Sequence, residues 1–181
     1  GLIDASGNNQ TGQWGYDFTM GDVALSASYN PRGTAAGVKG DAETGYAIVY
    51  SGIDGMELSA AYFDDGSEAE NDTMGIKYTM GSVTAAYQIT NVDYEATGST
   101  DQDATHYGIS VAINEDLSIS AGRQEIEFAK AADDEVNSGM MASYTMGSIA
   151  IKGGFNKMES KNGSATAKDV EANMFAVSFA F

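Results

Sequence analysis

Cysteine is absent from the 181 residues, proline occurs once, and positive charge is scarce: nine Lys and Arg stand against 26 Asp and Glu. Lack of cysteine excludes disulfides and thiolate metal sites, without by itself assigning a redox compartment. The few basic residues are scattered, which argues against a nucleic-acid partner, since phosphate binding needs Lys and Arg gathered on one face. Long apolar runs are missing too. The longest, Tyr46–Tyr50, covers five residues, far short of the roughly 20 that a membrane-spanning helix requires. The opening "GLIDASGNNQ" has neither the basic start nor the apolar stretch of a secretory signal. A processed chain, or part of a longer one, is therefore expected.

What the chain has instead is turn and strand chemistry. Its 22 glycines and ten tyrosines favour turns and strands over helices. Apolar residues alternate with small or polar ones, the pattern of a strand with two unlike faces. Trp14, Tyr16, Phe18 and Met20 share one parity, and after Gly21 the pattern restarts with Val23, Leu25, Ala27 and Tyr29. It returns through Tyr46–Tyr50, Met56–Tyr62, Met74–Tyr78, Val83–Ile89, Tyr107–Ile113, Leu117–Ala121, Ala142–Met146, Ile149–Phe155 and Phe175–Phe181. About eleven strands are predicted.

Between the strands, short and long connections take turns. A Met-Gly pair at positions 20, 80 and 146 recurs between alternating stretches and reads as a tight hairpin turn in which Gly adopts φ > 0. Long polar connections are expected near 31–43, 64–72, 92–104, 129–137 and 157–169. The acidic runs fall in these, as in "DDGSEAEND" from Asp64 to Asp72, and they read as solvated loops.

Alternation alone also fits a soluble sandwich, with one face in a core. Here the residues opposite the apolar ones are Ser, Thr, Ala and Gly, suited to lining water. Aromatic residues gather at both strand ends: Tyr50, Tyr78, Tyr144 and Phe179 on the short-turn side, Tyr29, Tyr62 and Tyr87 on the other. Aromatic girdles, short turns at one end and long loops at the other describe a transmembrane antiparallel β-barrel of the bacterial outer membrane. The whole chain reads as one such domain.

The closing "ANMFAVSFAF" carries Phe175, Val177, Phe179 and Phe181 at one parity. It resembles the assembly signal of bacterial outer-membrane proteins. With "GYDFTMGDVALSASY" and the Asp-rich loops, the chain is similar to trimeric general porins of the alphaproteobacterial type. The resemblance implies a barrel of about sixteen strands, of which the eleven here form the C-terminal part, with most of the constriction loop missing. It also implies a homotrimer, contact with membrane lipid and lipopolysaccharide, and handling by the outer-membrane assembly machinery.

Channel work needs a water-filled lumen and placed charges, not a nucleophile, so no enzyme and no catalytic residue are expected. By parity the pore-lining candidates are Asp17, Glu57, Lys77 and Lys152. Arg123 joins them if a β-bulge near Gly122 flips the register, because Arg123 and Glu125 otherwise share the parity of Ile119, while Ile126 and Phe128 do not. A strand that has left the membrane, or a subunit contact, is the competing reading. His106, the one histidine, lacks a backing acidic pair and reads as a polar rim residue. No cofactor is expected apart from Ca²⁺ bridging acidic loops, with Asp64, Asp65, Glu68, Asp101 and Asp103 as candidates, although EF-hand spacing is lacking. The leading function is passive diffusion of ions and small hydrophilic solutes. The alternative is a structural or adhesive barrel with a plugged lumen, whose acidic loops bind a partner.

Overall fold

The computed structural model describes residues 14–31, 42–66, 69–95 and 98–179. Eleven strands follow in order: β1 (Trp14–Met20), β2 (Val23–Asn30), β3 (Glu43–Ile53), β4 (Met56–Asp64), β5 (Ala69–Met80), β6 (Val83–Tyr94), β7 (Gln102–Ala112), β8 (Leu117–Phe128), β9 (Glu135–Met146), β10 (Ile149–Glu159) and β11 (Val170–Phe179). A single 3₁₀ turn, Lys161–Gly163, lies between β10 and β11. Each strand is hydrogen-bonded to its neighbours in the chain, so β1 has β2 as its one partner and β11 has β10. Both are sheet edges, as expected of a chain that does not close on itself. Among the described residues no helix is long and apolar enough to cross a membrane. The strands fall into two compact units, Gly1–Ile76 with Thr90–Gln102 and Lys77–Ile89 with Asp103–Phe181.

In the first unit the register separates the faces. One rung sets Phe18 against Leu25, Leu25 against Ile48 and Ile48 against Ala60; the next sets Tyr16, Ala27, Tyr46 and Tyr62 side by side. The intervening residues form the other face, where Asp17, Ser26, Ala47 and Ala61 are aligned. Because side chains alternate across a strand, one continuous ladder gathers most of the large apolar groups on one side, with Val49 and Phe63 on the other.

The second unit repeats this. Leu117, Tyr144, Ile151 and Val177 make one apolar rung, and Ile119, Ala142, Gly153 and Phe175 the next. On the other face Ser118, Ser143, Lys152 and Ala176 are aligned.

The apolar face is uncovered. Trp14 is 68% exposed, Phe175 74% and Tyr46 58%, while the described residues contain one buried apolar side chain, Ala69. The accessible surface is 12494 Å², against about 8,300 Å² for a compact soluble protein of this mass. Large aromatic and aliphatic side chains left this exposed call for an apolar solvent around them. On β1, β2, β4, β5 and β9 the apolar parity carries four residues, as in Trp14–Met20, Met74–Met80 and Met140–Met146. A band of equal length on these five strands matches a layer of fixed thickness, which a soluble core does not demand.

The repeated Met-Gly turns are two-residue loops. Met20 opposes Val23 and Met146 opposes Ile149, and Gly21, Gly81 and Gly147 have φ of 58°, 60° and 58°. Positive φ at the first central residue only is the type II′ pattern that suits the strand twist. A Cβ on any of these three glycines would meet nothing within 4 Å. Backbone conformation, not space, requires glycine there.

The connections at the opposite ends are shorter than alternation suggested. β5 begins at Ala69, β6 runs to Tyr94, β9 begins at Glu135 and β10 reaches Glu159. Backbone pairing continues where the side chains have already become polar. Residues 32–41, within the expected 31–43 connection, lie outside the described residues.

Candidate functional site

Asp17 on β1 accepts a hydrogen bond from Ser26 Oγ at 2.7 Å, on the face opposite Phe18 and Leu25. Glu57 lies on the same face of β4, two rungs toward the short turn from Ala61, and is half-buried. It sits opposite a β-bulge: Tyr50 pairs with Leu58 and Ile53 with Met56, so Ser51 and Gly52 together face Glu57. Ser51 N–H donates to the Asp22 carbonyl at 2.9 Å, and the Tyr50 ring folds over Gly52, where a Cβ would stand 2.5 Å from its hydroxyl oxygen. Lys77 follows Ile76 on β5, is exposed and keeps the polar parity. Lys152 rises from a rung of small residues, Ser118, Ser143 and Ala176.

Arg123 does not join them. The β8–β9 ladder runs without a shift from Leu117↔Tyr144 to Ile126↔Glu135, so the bulge expected near Gly122 is absent from it. Arg123 stays on the face of Ile119, in the rung Ser138, Lys157 and Glu171. Charge is tolerable there because it is paired. Arg123 Nη2 contacts Glu125 Oε1 at 2.6 Å, and Lys157 Nζ contacts Glu159 and Asp169 at 2.6 and 2.9 Å. The apolar face thus ends at the rung Ala121, Met140, Phe155 and Asn173, and a charged rung follows.

Ile126 and Phe128 remain on the polar parity, and the turn between β10 and β11 explains why. Gly163, with φ of 68°, packs against Ala131 and Phe128 so closely that a Cβ would overlap them. Its carbonyl accepts from Asp133 N–H at 3.2 Å. The latch is Glu135, 7% exposed, whose Oε2 accepts from Asn162 N–H and whose Oε1 accepts from Asn137 Nδ2, both at 2.8 Å. Phe128 thus lies beside the Lys161–Gly163 turn, and Ile126 pairs with the buried Glu135 that holds it.

The same face of the second unit holds a depression of about 720 Å³ that sequence reading did not find. Its lining includes His106, Gly108, Gly122, Gln124, Asn137, Gly139 and Asn156. The signal was available: on adjacent strands the polar parity carries amides at matching heights.

The terminal Phe175, Val177 and Phe179 oppose Gly153, Ile151 and Ile149 on the apolar face; Phe181 lies outside the described residues. Of the acidic-loop candidates, Asp64 accepts from Gly66 N–H at 2.6 Å, Asp65 from Ala69 N–H at 3.0 Å and Asp101 from Tyr94 N–H at 2.9 Å. Asp103 is exposed on β7, and Glu68 lies outside the described residues. Among the described residues no three acidic or histidine side chains converge as a cation site would require.

An antiparallel ladder with an uncovered apolar band and a small, polar reverse face defines a class, the bacterial outer-membrane β-proteins. The family model for Gram-negative porins matches residues 1–181, and the chain belongs to that family. Among curated proteins none matches it by sequence. In fold it is similar to a loop-deletion mutant of OmpT, an outer-membrane protein of Vibrio cholerae, at 14% identity and TM-score 0.71 over 94% of this chain and 63% of that one. A mutant porin of Rh. blastica aligns at 20% identity and TM-score 0.68, covering 94% and 55%. OccD3 (OpdP) of Pseudomonas aeruginosa aligns at 12% and 0.68, covering 81% and 48%. The chain thus spans about half to three-fifths of these relatives. Its place is the bacterial outer membrane, with the apolar face toward lipid.

Proposed function

We propose that this chain forms part of the wall of an outer-membrane channel through which ions and small hydrophilic solutes diffuse passively. The observation that carries the reading is the two-faced ladder: large apolar side chains uncovered on one side, and Ser, Ala and Gly with a few charges on the other. In this reading the polar face is the lumen wall, and Asp17, Glu57, Lys77 and Lys152 line it. No catalytic step and no cofactor enter.

The edge strands support a further element. An unpaired backbone edge in lipid leaves groups that each cost several kcal/mol. β1 and β11 therefore pair with strands outside this sequence, completing a barrel of about sixteen strands of which these eleven are the C-terminal part. Three copies assemble, lipopolysaccharide surrounds the outer rim, and the β11 aromatics are the feature handed to the assembly machinery. The test is the conductance of the full-length protein in planar bilayers. Steady ohmic steps are expected. A correctly folded but silent protein would favour the plugged, adhesive alternative.

A further inference from the structure

We propose that the depression on the polar face of β6–β10 is a binding subsite for an uncharged, polyhydroxylated solute of the saccharide class. This rests on the channel reading and adds a ligand class to it. The floor comes from three adjacent strands. A Cβ on Gly108 would lie 3.2 Å from the Ala121 carbonyl and 3.7 Å from Gly122 Cα, and Gly122 in turn faces Gly139. With no side chains on Gly108 and Gly122, a solute reaches the backbone plane there. On the next strand Asn156 opposes Gly139 and lays its amide oxygen where a Gly139 Cβ would stand.

The bank on the loop side is amide and imidazole. Gln124 and Asn137 face each other across β8 and β9, with Asn137 Nδ2 3.5 Å from Gln124 Oε1. His106 has the same parity, two residues from Gly108 on β7. Met141, Met158 and Val170 add apolar surface to the lining.

Charge decides the ligand class. Arg123 and Lys157 border the depression, but their rung alternates to the other face and their charged ends pair with Glu125, Glu159 and Asp169. Glu135, one rung above, is buried beneath the bonds from Asn137 and Asn162. The polar side chains on this face of the lining include the amides of Gln124, Asn137 and Asn156, each both donor and acceptor, and hydroxyl groups ask for that combination. The volume of about 720 Å³ falls within the roughly 300–1,000 Å³ usual for small-molecule sites.

The experiment adds sucrose or sodium gluconate to the full-length channel in a planar bilayer bathed in KCl and reads current fluctuations. Sucrose should produce saturable blocking noise and gluconate should not. The double variant Gln124→Ala/Asn156→Ala should raise the half-blocking sucrose concentration about five- to tenfold with KCl conductance retained. Gly122→Val, which fills the floor where a Cβ has 3.5 Å of clearance, should do the same. A conducting channel without sucrose noise, equal noise from gluconate, or unchanged block in both variants overturns the subsite. Silence in KCl overturns the channel reading alone; equilibrium dialysis of the folded protein against labelled sucrose then decides the subsite, with retention supporting it and no retention overturning it.

Discussion

Ser26 donates its hydroxyl proton to Asp17 across the β1–β2 ladder, 2.7 Å from oxygen to oxygen, while Phe18 and Leu25 face each other on the opposite side. One residue of offset separates a carboxylate in a polar environment from a side chain turned toward lipid. Strict alternation makes that offset decisive.

The first prediction uses it. Leu25→Lys should impair assembly of the full-length protein, since an ammonium at mid-bilayer costs about 2–4 kcal/mol. Ser26→Lys should be tolerated, because the new ammonium lies beside Asp17. Heat-modifiable mobility on gels reads the folded fraction, and equal outcomes would mean the faces are misassigned.

A second prediction separates conformation from space. Gly81→Ala should lower folding stability by about 1–2 kcal/mol, although its Cβ would touch nothing within 4 Å, because φ is 60°. Gly122→Ala, with ordinary contacts at 3.5 Å and no positive φ, should cost less. Urea unfolding in detergent compares them, and a reversed order would refute the turn assignment.

Charge reversal distinguishes lumen from rim. Lys152→Glu should shift the zero-current potential of the full-length channel toward cation preference, as expected of a charge lining the path. Arg123→Glu should leave it nearly unchanged, because that side chain lies on the lipid-side face above the apolar band. A larger shift from Arg123 would restore the bulge excluded by the β8–β9 register.

The loop latch has its own test. Glu135→Ala removes the acceptor for Asn162 N–H and Asn137 Nδ2, bonds to a charged group worth about 1.5–3 kcal/mol each. Trypsin should then cut after Lys161 at least about tenfold faster, while cutting elsewhere is unchanged. An unaltered digestion pattern would show that other contacts hold the turn.

Strands and turns were legible because alternation reports face chemistry directly. Trp14–Met20 and Val23 onward emerged with the register the structure shows, and the Met-Gly pairs gave the hairpins. Strand ends were less legible. Ladder bonds continue through Asn71 and Asp72 or Glu135 and Val136, where side chains no longer alternate in polarity. The parity change between Glu125 and Ile126 suggests a bulge near Gly122, but the β8–β9 ladder has none, and Arg123 pairs with Glu125 instead. The bulge at Ser51–Gly52 leaves no such mark in the sequence. Ile126 and Phe128, apolar on the polar parity, were the signal of a covering loop.

A chelator supplies the last prediction. Asp64, Asp65 and Asp101 already accept backbone N–H bonds, so EDTA should leave the thermal unfolding of the folded protein unchanged. A marked fall in Tm, reversed by added Ca²⁺, would show that the loops bind the ion after all.

The nearest-neighbour strand order also has a kinetic meaning. Closing a two-residue turn such as Gly147–Ser148 carries far less entropic penalty than joining distant segments. Each hairpin therefore nucleates locally, and β10 can zip onto β9 before β11 is engaged. A wall built this way gains or loses whole hairpins without re-registering the ladders already formed. Successive strands become interchangeable increments, and the number of strands is a quantity that duplication or deletion of one Met-Gly hairpin adjusts in steps of two.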